Sequence, residues 1–113
     1  MSDSDKFEYN IGIVKDVVSG LGFECKRIDS NKTFASFEQE FKNKNGKDML
    51  FKIVCSYGSI RVIVVVEDET TVAQSGKYIT PEELIEHRQD VINHNLWWVN
   101  EYNISVMTKK REN

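Results

Sequence analysis

The sequence predicts an α+β fold: an N-terminal helix, a four-stranded antiparallel meander, a second helix and a short C-terminal strand. Apolar residues recur every three or four positions near the N-terminus, form four strand-like segments, and return to the helical spacing after Pro81. The chain has 113 residues, 40% hydrophobic and 29% charged, which is typical of one globular domain that buries its own core. We therefore expect a single domain over residues 1–113, frayed at 1–4 and 110–113.

The first helix is predicted to run from about Asp5 to Gly20. Asp5 followed by Glu8 has the pattern of an N-cap, and Gly20 with Gly22 ends the helix. One helical face carries the apolar residues that recur at steps of three and four, namely Phe7, Ile11, Val14, Val18 and Leu21.

Four strands are predicted in succession, over residues 23–28, 33–42, 48–57 and 59–67. Because a slip of one residue turns a whole strand over, matching of the apolar faces sets the registers. Between the second and third strands, a three-residue loop ending in a left-handed Gly46 pairs Phe41 with Met49 and Phe37 with Ile53. Between the third and fourth strands, a two-residue turn at 58–59 pairs Tyr57 with Ile60, Cys55 with Val62, Ile53 with Val64 and Phe51 with Val66.

The third and fourth strands are apolar on both faces, which is the feature that bears most on function. The paired residues named above form one face, and Leu50, Val54, Ile63 and Val65 lie on the other. Helices on opposite faces would bury both, whereas helices that share one face would leave the second exposed. Polar neighbours such as Lys52 and Arg61 make the second face mixed, as protein interfaces are. We therefore favour helices on one face and a partner on the other.

The chain after the fourth strand is predicted to be a polar loop followed by a long helix. Residues 67–80 have a polar composition, and loops of this length are often functional. Thr80 as N-cap, Pro81 at the first position and Glu83 closing a capping box begin the helix, which is expected to run to about Asn100. A last strand is predicted over residues 103–109, where apolar and polar residues alternate.

Two adjacent tryptophans, Trp97 and Trp98, cannot face the same way on that helix. Trp97 would lie on the charged side, about 170° from the centre of the buried arc at ~100° per residue. Tryptophan is enriched at interface hot spots, so Trp97 is a candidate partner-binding residue. The alternative is a helix that ends near Asn95, with both rings entering the core.

His87, Asp90 and His94 share a flank of the predicted helix and are the residues that would hold a metal, were one bound. The histidines are seven apart, unlike the pair spaced by four in metalloproteases, and such pairs on helices also occur without any ligand. No serine or cysteine has a catalytic context. We predict no metal, no cofactor and no catalytic residue.

Lysines concentrate around the second hairpin and provide the alternative hypothesis, nucleic-acid binding along phosphates; they are Lys42, Lys44, Lys47 and Lys52. The net charge of −3 opposes it, because it gives no long-range attraction to nucleic acid. Cys25 and Cys55 fall on the first and third strands, about 10 Å apart and too far for a disulfide. No apolar run of membrane-spanning length and no signal-peptide pattern is present, so the cytoplasm of a cell or infected host is expected.

The predicted function is therefore a small non-enzymatic module that occupies the surface of another protein, as inhibitors, immunity proteins and phage or plasmid accessory proteins do. Its partner is another protein or a second copy of the chain. The candidate partner-binding residues are Leu50, Val54, Arg61, Ile63, Val65 and Trp97.

Overall fold

A computed structural model describes residues 2–28, 34–42, 46–67, 71–99 and 109–110. In chain order its elements are α1 (Asp3–Val18), β1 (Glu24–Ile28), β2 (Phe34–Lys42), β3 (Asp48–Ser56), β4 (Ile60–Glu67), β5 (Thr71–Ile79), α2 (Pro81–Glu86), α3 (Arg88–Ile92) and β6 (Lys109–Lys110). The strands form one antiparallel sheet in the order β1-β2-β3-β4-β5-β6. The α+β prediction is confirmed, and the meander has five strands, β1 to β5, where four were predicted.

Helix α1 begins two residues earlier than predicted, because Ser2 and not Asp5 is its N-cap. The Ser2 hydroxyl accepts from the Asp5 backbone N–H at 3.1 Å, and the Asp5 carboxylate accepts from the Ser2 N–H at 3.4 Å. This reciprocal pair satisfies two helix-end donors. The predicted apolar face of α1 is buried against the sheet, with Phe7, Ile11 and Val14 at its centre.

The two central hairpins show what face matching can and cannot determine. The β2–β3 register is as predicted, with Phe41 opposite Met49, and Gly46 has φ +78°. The β3–β4 register is two residues away from the prediction: Cys55 lies opposite Ile60, and the turn closes where the Ser56 N–H donates to the Ser59 carbonyl at 2.9 Å. A shift of two keeps every side chain on its predicted face, so face matching could not detect it.

Strand β5 occupies most of the segment that was predicted to be a loop, and that prediction is wrong. β5 pairs with β4 along its length, with Val64 opposite Ser75 and Ile63 opposite Gly76. Of its buried residues, Ala73 and Ser75 are small and only Ile79, the last residue of the strand, is large, so the alternation of apolar and polar residues is weak. Pairing with β4, whose residues from Val62 to Val66 are all apolar, and not intrinsic preference, makes this segment a strand.

The predicted second helix begins as expected and ends early. Thr80 caps Pro81 at the first position, and the Thr80 hydroxyl accepts from the Glu83 N–H at 3.1 Å. The helical segment is interrupted at His87 and ends at Ile92, and His94 takes a left-handed conformation with φ +53°. The strand predicted at 103–109 lies outside the described residues except for Lys109, which with Lys110 pairs with β5 at 71–72.

The hydrophobic core lies between the helices and one face of the sheet. Its fully buried side chains come from β3 and β4 together with α1, α2 and α3, among them Phe51, Ile53, Val14, Leu84 and Val91. Cys25 is exposed and Cys55 buried, and both are free thiols. Burial raises the pKa of the Cys55 thiol to about 12, so it stays protonated and unreactive. Among the described residues no helix has the length and apolar character needed to cross a membrane.

Replacing Gly46 by alanine should destabilise the protein by about 1–2 kcal/mol, because φ +78° is unfavourable for a residue with a Cβ. Nothing lies within 4 Å of the position that the new Cβ would occupy, so the cost is conformational and not steric. Gly58→Ala is the matched control, since Gly58 has equal space and no positive φ. Urea unfolding of both variants measures the difference, and equal stabilities would contradict the left-handed assignment.

Candidate functional site

The face of the sheet opposite the helices, called the open face below, is the candidate site. Alternation along β2 to β5 directs one side chain of every two to it. Three cross-strand rows form its centre: Ser36–Val54–Arg61–Tyr78, Glu38–Lys52–Ile63–Gly76, and Glu40–Leu50–Val65–Gln74. Five of the six residues predicted to bind a partner lie in these rows.

The centre of the open face is apolar and partly shielded by its own neighbours. Ile63 is only 6% exposed although its side chain is on the side away from the helices, while Leu50, Val54 and Val65 are half-buried. A groove of about 370 Å³ crosses the face beside Ile63, and Phe34 lies at its margin. The Ser36 hydroxyl donates to the Glu38 carboxylate at 3.0 Å along one side of it.

Arg61 lies flat across β5 within this groove. Its guanidinium carbon is 5.3 Å from the centre of the Tyr78 ring, a cation–π distance. A Cβ placed on Gly76 would be 3.0 Å from Arg61 Nε and 3.1 Å from Nη2, so the absence of a side chain at Gly76 creates the bed for the guanidinium. Arg61 Nε is buried and has no hydrogen-bond partner among the described residues.

Three exposed tyrosines extend the open face around the end of the sheet. Tyr9, Tyr57 and Tyr78 are 48%, 48% and 66% exposed and line a cleft of about 420 Å³, called the tyrosine cleft below. Tyr78 and Ser59 line both this cleft and the groove, so the two adjoin at these residues. This cluster was not predicted from the sequence, because Tyr57 was placed on the face of the core and Tyr78 in a loop. The alternation of Gln74, Gly76 and Tyr78 with inward residues was the pattern that could have indicated a strand here.

Trp97 is not on the open face, so the structure separates it from the other five predicted partner-binding residues. Its ring stacks on His87 with centroids 4.2 Å apart and planes 3° apart, and it packs against the core on the helix side. Trp98 is buried edge-on against Phe51 at 5.3 Å and donates from its indole N–H to the Ser75 carbonyl at 3.4 Å. The structure therefore has the early helix end that was the alternative prediction.

Of the three candidate metal ligands, His87 and Asp90 are in contact and His94 lies apart from them. His87 Nδ1 is 2.7 Å from the Asp90 carboxylate, whose pKa is lowered by that hydrogen bond first and by one from Asn95 second. His94 instead stacks on Phe41 with centroids 4.4 Å apart. Within the described ranges no three His, Cys, Asp or Glu side chains are grouped so that they could hold a metal ion.

His94 connects the chain after α3 to strand β2. Its Nε2 is 2.8 Å from Gln39 Oε1, and the Gln39 amide nitrogen is hydrogen-bonded to the Leu21 carbonyl. Because that amide nitrogen is the donor to Leu21, Oε1 must accept, and His94 Nε2 therefore carries the proton. Burial lowers the pKa of His94 below its ordinary value.

The lysines of the alternative hypothesis do not form one uncompensated patch. Lys42 Nζ is 2.7 Å from the Asp48 carboxylate. Lys52 lies on the open face directly opposite Glu38, and Lys47 is exposed near the β2–β3 turn. Lys44 lies outside the described residues.

The free energy of unfolding should fall as the pH decreases through the ordinary His pKa of 6.5, because the unfolded chain takes up a proton at His94 before the folded one does. Above that pH His94 is neutral in both the folded and the unfolded chain, so its titration no longer lowers the free energy of unfolding. His94→Asn removes the titration and keeps a residue that tolerates positive φ. Urea unfolding at about pH 7.5 and about pH 5.5 should show a smaller loss for the variant, and an equal loss would contradict this assignment.

Comparison with known proteins finds no match for this chain: no family model, no curated protein sequence and no solved structure is similar to it.

Proposed function

We propose that this chain is a small, non-enzymatic, cytoplasmic protein-binding module whose open face occupies the surface of a partner protein. This is the mode of action of inhibitors, immunity proteins and phage or plasmid accessory proteins. The observation that supports it is a sheet face on which half-buried aliphatic side chains are combined with Arg61 and Tyr78.

The composition of this surface is that of a protein interface. Tyrosine and arginine are the residues most enriched, with tryptophan, among interface hot spots. Here Arg61 lies against Tyr78, and the tyrosine cleft continues the surface to Tyr57 and Tyr9. In such an interface Leu50, Val54 and Val65 would form the apolar centre. Glu38 and Lys52 would form its polar part.

The chemistry of the open face supports binding rather than catalysis. Its central rows contain neither histidine nor cysteine. Both histidines lie on the helix side, where His94 bonds to Gln39 and His87 to Asp90. The thiol of Cys55 is buried and protonated. A sheet face crossed by a groove offers area to a partner rather than an enclosed reaction site.

Val54→Glu should abolish partner binding and leave the fold intact, because Val54 is half-buried on the open face. Ile63 is unsuitable for this test, since it is 6% exposed and a charge there would challenge folding. The matched control is Ile85→Glu, which places the same charge on an exposed position of α2. Each tagged variant is exposed to lysate of the source cell, retained proteins are quantified by mass spectrometry, and a purified candidate is titrated calorimetrically.

Tyr78→Ala provides an independent variant, because removal of a ring that is 66% exposed affects the fold little. A hot-spot tyrosine should cost at least about 2 kcal/mol, or more than tenfold in affinity. The proposal predicts a protein that binds the wild type and Ile85→Glu alike and loses affinity for both open-face variants. Unchanged binding to both open-face variants would contradict it.

A further inference from the structure

We propose that the tyrosine cleft binds a proline-rich segment of the partner protein in the polyproline II conformation. The cleft measures about 420 Å³ and lies between the first half of α1, the turn between β3 and β4, and the junction of β5 with α2. The inference rests on the proposed function, since it names the chemistry of a partner segment that binds beside the open face.

The concentration of exposed tyrosines is the main observation. Five large hydrophobic side chains are exposed among the described residues, and three of them, Tyr9, Tyr57 and Tyr78, line this one cleft. They come from three different parts of the chain, namely α1, the turn after β3, and β5. Grooves lined by aromatic rings are the surfaces to which proline-rich segments bind in the polyproline II conformation.

A buried hydrogen bond fixes two of these tyrosines relative to one another. Asn10 Nδ2 donates to the Ser56 carbonyl at 2.9 Å, and only 7% of Asn10 is exposed. Tyr9 precedes Asn10 and Tyr57 follows Ser56, so this bond holds the two tyrosine-bearing backbones together. The cleft is therefore formed before a ligand arrives. A polyproline II segment is also preformed, so binding orders little on either side.

The polar groups of the cleft match the backbone of such a segment. A polyproline II chain has no internal hydrogen bonds, so its carbonyls are free to accept. The tyrosine hydroxyls and the Lys6 ammonium are donors that line the cleft. The Asn10 oxygen has no donor among the described residues and, unlike Arg61 Nε, is not closed off from solvent. It can accept from the N–H of a residue between two prolines.

The charge of the cleft favours a neutral ligand. Lys6 and Glu83 are the charged residues among those that line it, one cation and one anion. A phosphate group or a nucleic-acid strand is bound by several cations, which this lining lacks. Lys6 would repel a ligand that is itself a cation, such as a quaternary ammonium group. The backbone of a proline-rich segment carries no charge and meets neither obstacle.

The lining also argues against a bound strand or a bound helix. A strand added to a sheet needs several residues of unpaired edge, and β5 contributes only Tyr78 and Ile79 to the cleft. A bound helix needs a groove of apolar side chains that runs along its successive turns, whereas Ile79 and Pro81 are the aliphatic residues of this lining. Of these three forms of peptide, polyproline II is the one that aromatic walls suit.

The test is an NMR titration of the isotope-labelled protein with hexaproline blocked at both ends. The shift changes should saturate and should map to the backbone amides of the cleft. Tyr9→Ala and Tyr57→Ala remove rings that line the cleft and not the groove, and each should raise the dissociation constant at least about fivefold. Ile92→Ala removes an exposed side chain outside the cleft and should leave the dissociation constant unchanged.

Two matched probes and a folding control complete the experiment. A hexapeptide of alternating glycine and serine is flexible, and a thymidine hexanucleotide is anionic, so neither should bind as hexaproline does. Thermal unfolding of each variant verifies its fold. The proposal is overturned if hexaproline does not saturate, if the shifts map elsewhere, if either control probe binds the cleft as tightly, or if both folded tyrosine variants bind like the wild type.

The same experiment separates this proposal from the proposed function. Val54 lines the groove and not the cleft, so Val54→Glu should bind hexaproline like the wild type. If hexaproline does not bind while Val54→Glu loses its partner protein, the assignment of the cleft is wrong and the proposed function stands. If hexaproline binds the cleft while Val54→Glu and Tyr78→Ala keep every partner, the proposed function of the open face is the part that fails.

Discussion

Burial of one face of β3 and β4 is the constraint on which the rest of the structure depends. Phe51, Ile53, Val62 and Val64 are fully buried between the sheet and the helices. Because strand residues alternate, placing these four inward sends the equally aliphatic Leu50, Val54, Ile63 and Val65 outward. The described helices all pack on the inward side, and the open face is the consequence.

The chain after Ile79 is shaped by this core more than by its own helical preference. A continuous helix to Asn100 would satisfy the local pattern, yet it would hold Trp97 and Trp98 on different sides. Ending the helix at Ile92 lets Trp98 enter the core against Phe51, and His94 then anchors the turn through Phe41 and Gln39. The free energy gained by burying a tryptophan exceeds the helix propensity of a few residues. This is an effect of tertiary packing, which the spacing of apolar residues in the sequence does not reveal.

The parts of the fold that the sequence predicts are those in which apolar contrast is strong. α1, β2, β3, β4 and the cap at Thr80 follow from periodicity and capping chemistry. β5 was missed because the small residues Ala73 and Ser75 occupy the buried positions in its middle, and small side chains are also typical of loops. The missed strand also affected the prediction of the site. Val54, Ile63 and Arg61 lie on the predicted strands β3 and β4 and were identified, whereas Tyr78 lies on β5 and was not.

Strand β5 links the two sides of the sheet through its small residues. On the helix side, Ser75 is small and buried, and its backbone carbonyl accepts from the Trp98 indole. On the open side, Gly76 leaves the space in which the Arg61 guanidinium rests against Tyr78. The small residues of β5 therefore leave room for Trp98 in the core on one face and for the Arg61 guanidinium on the other. The small residues that made β5 hard to predict from the sequence are the ones that leave room on both faces of the sheet. Because Gly76 points to the open face, a larger side chain there would displace Arg61 and would not contact the core.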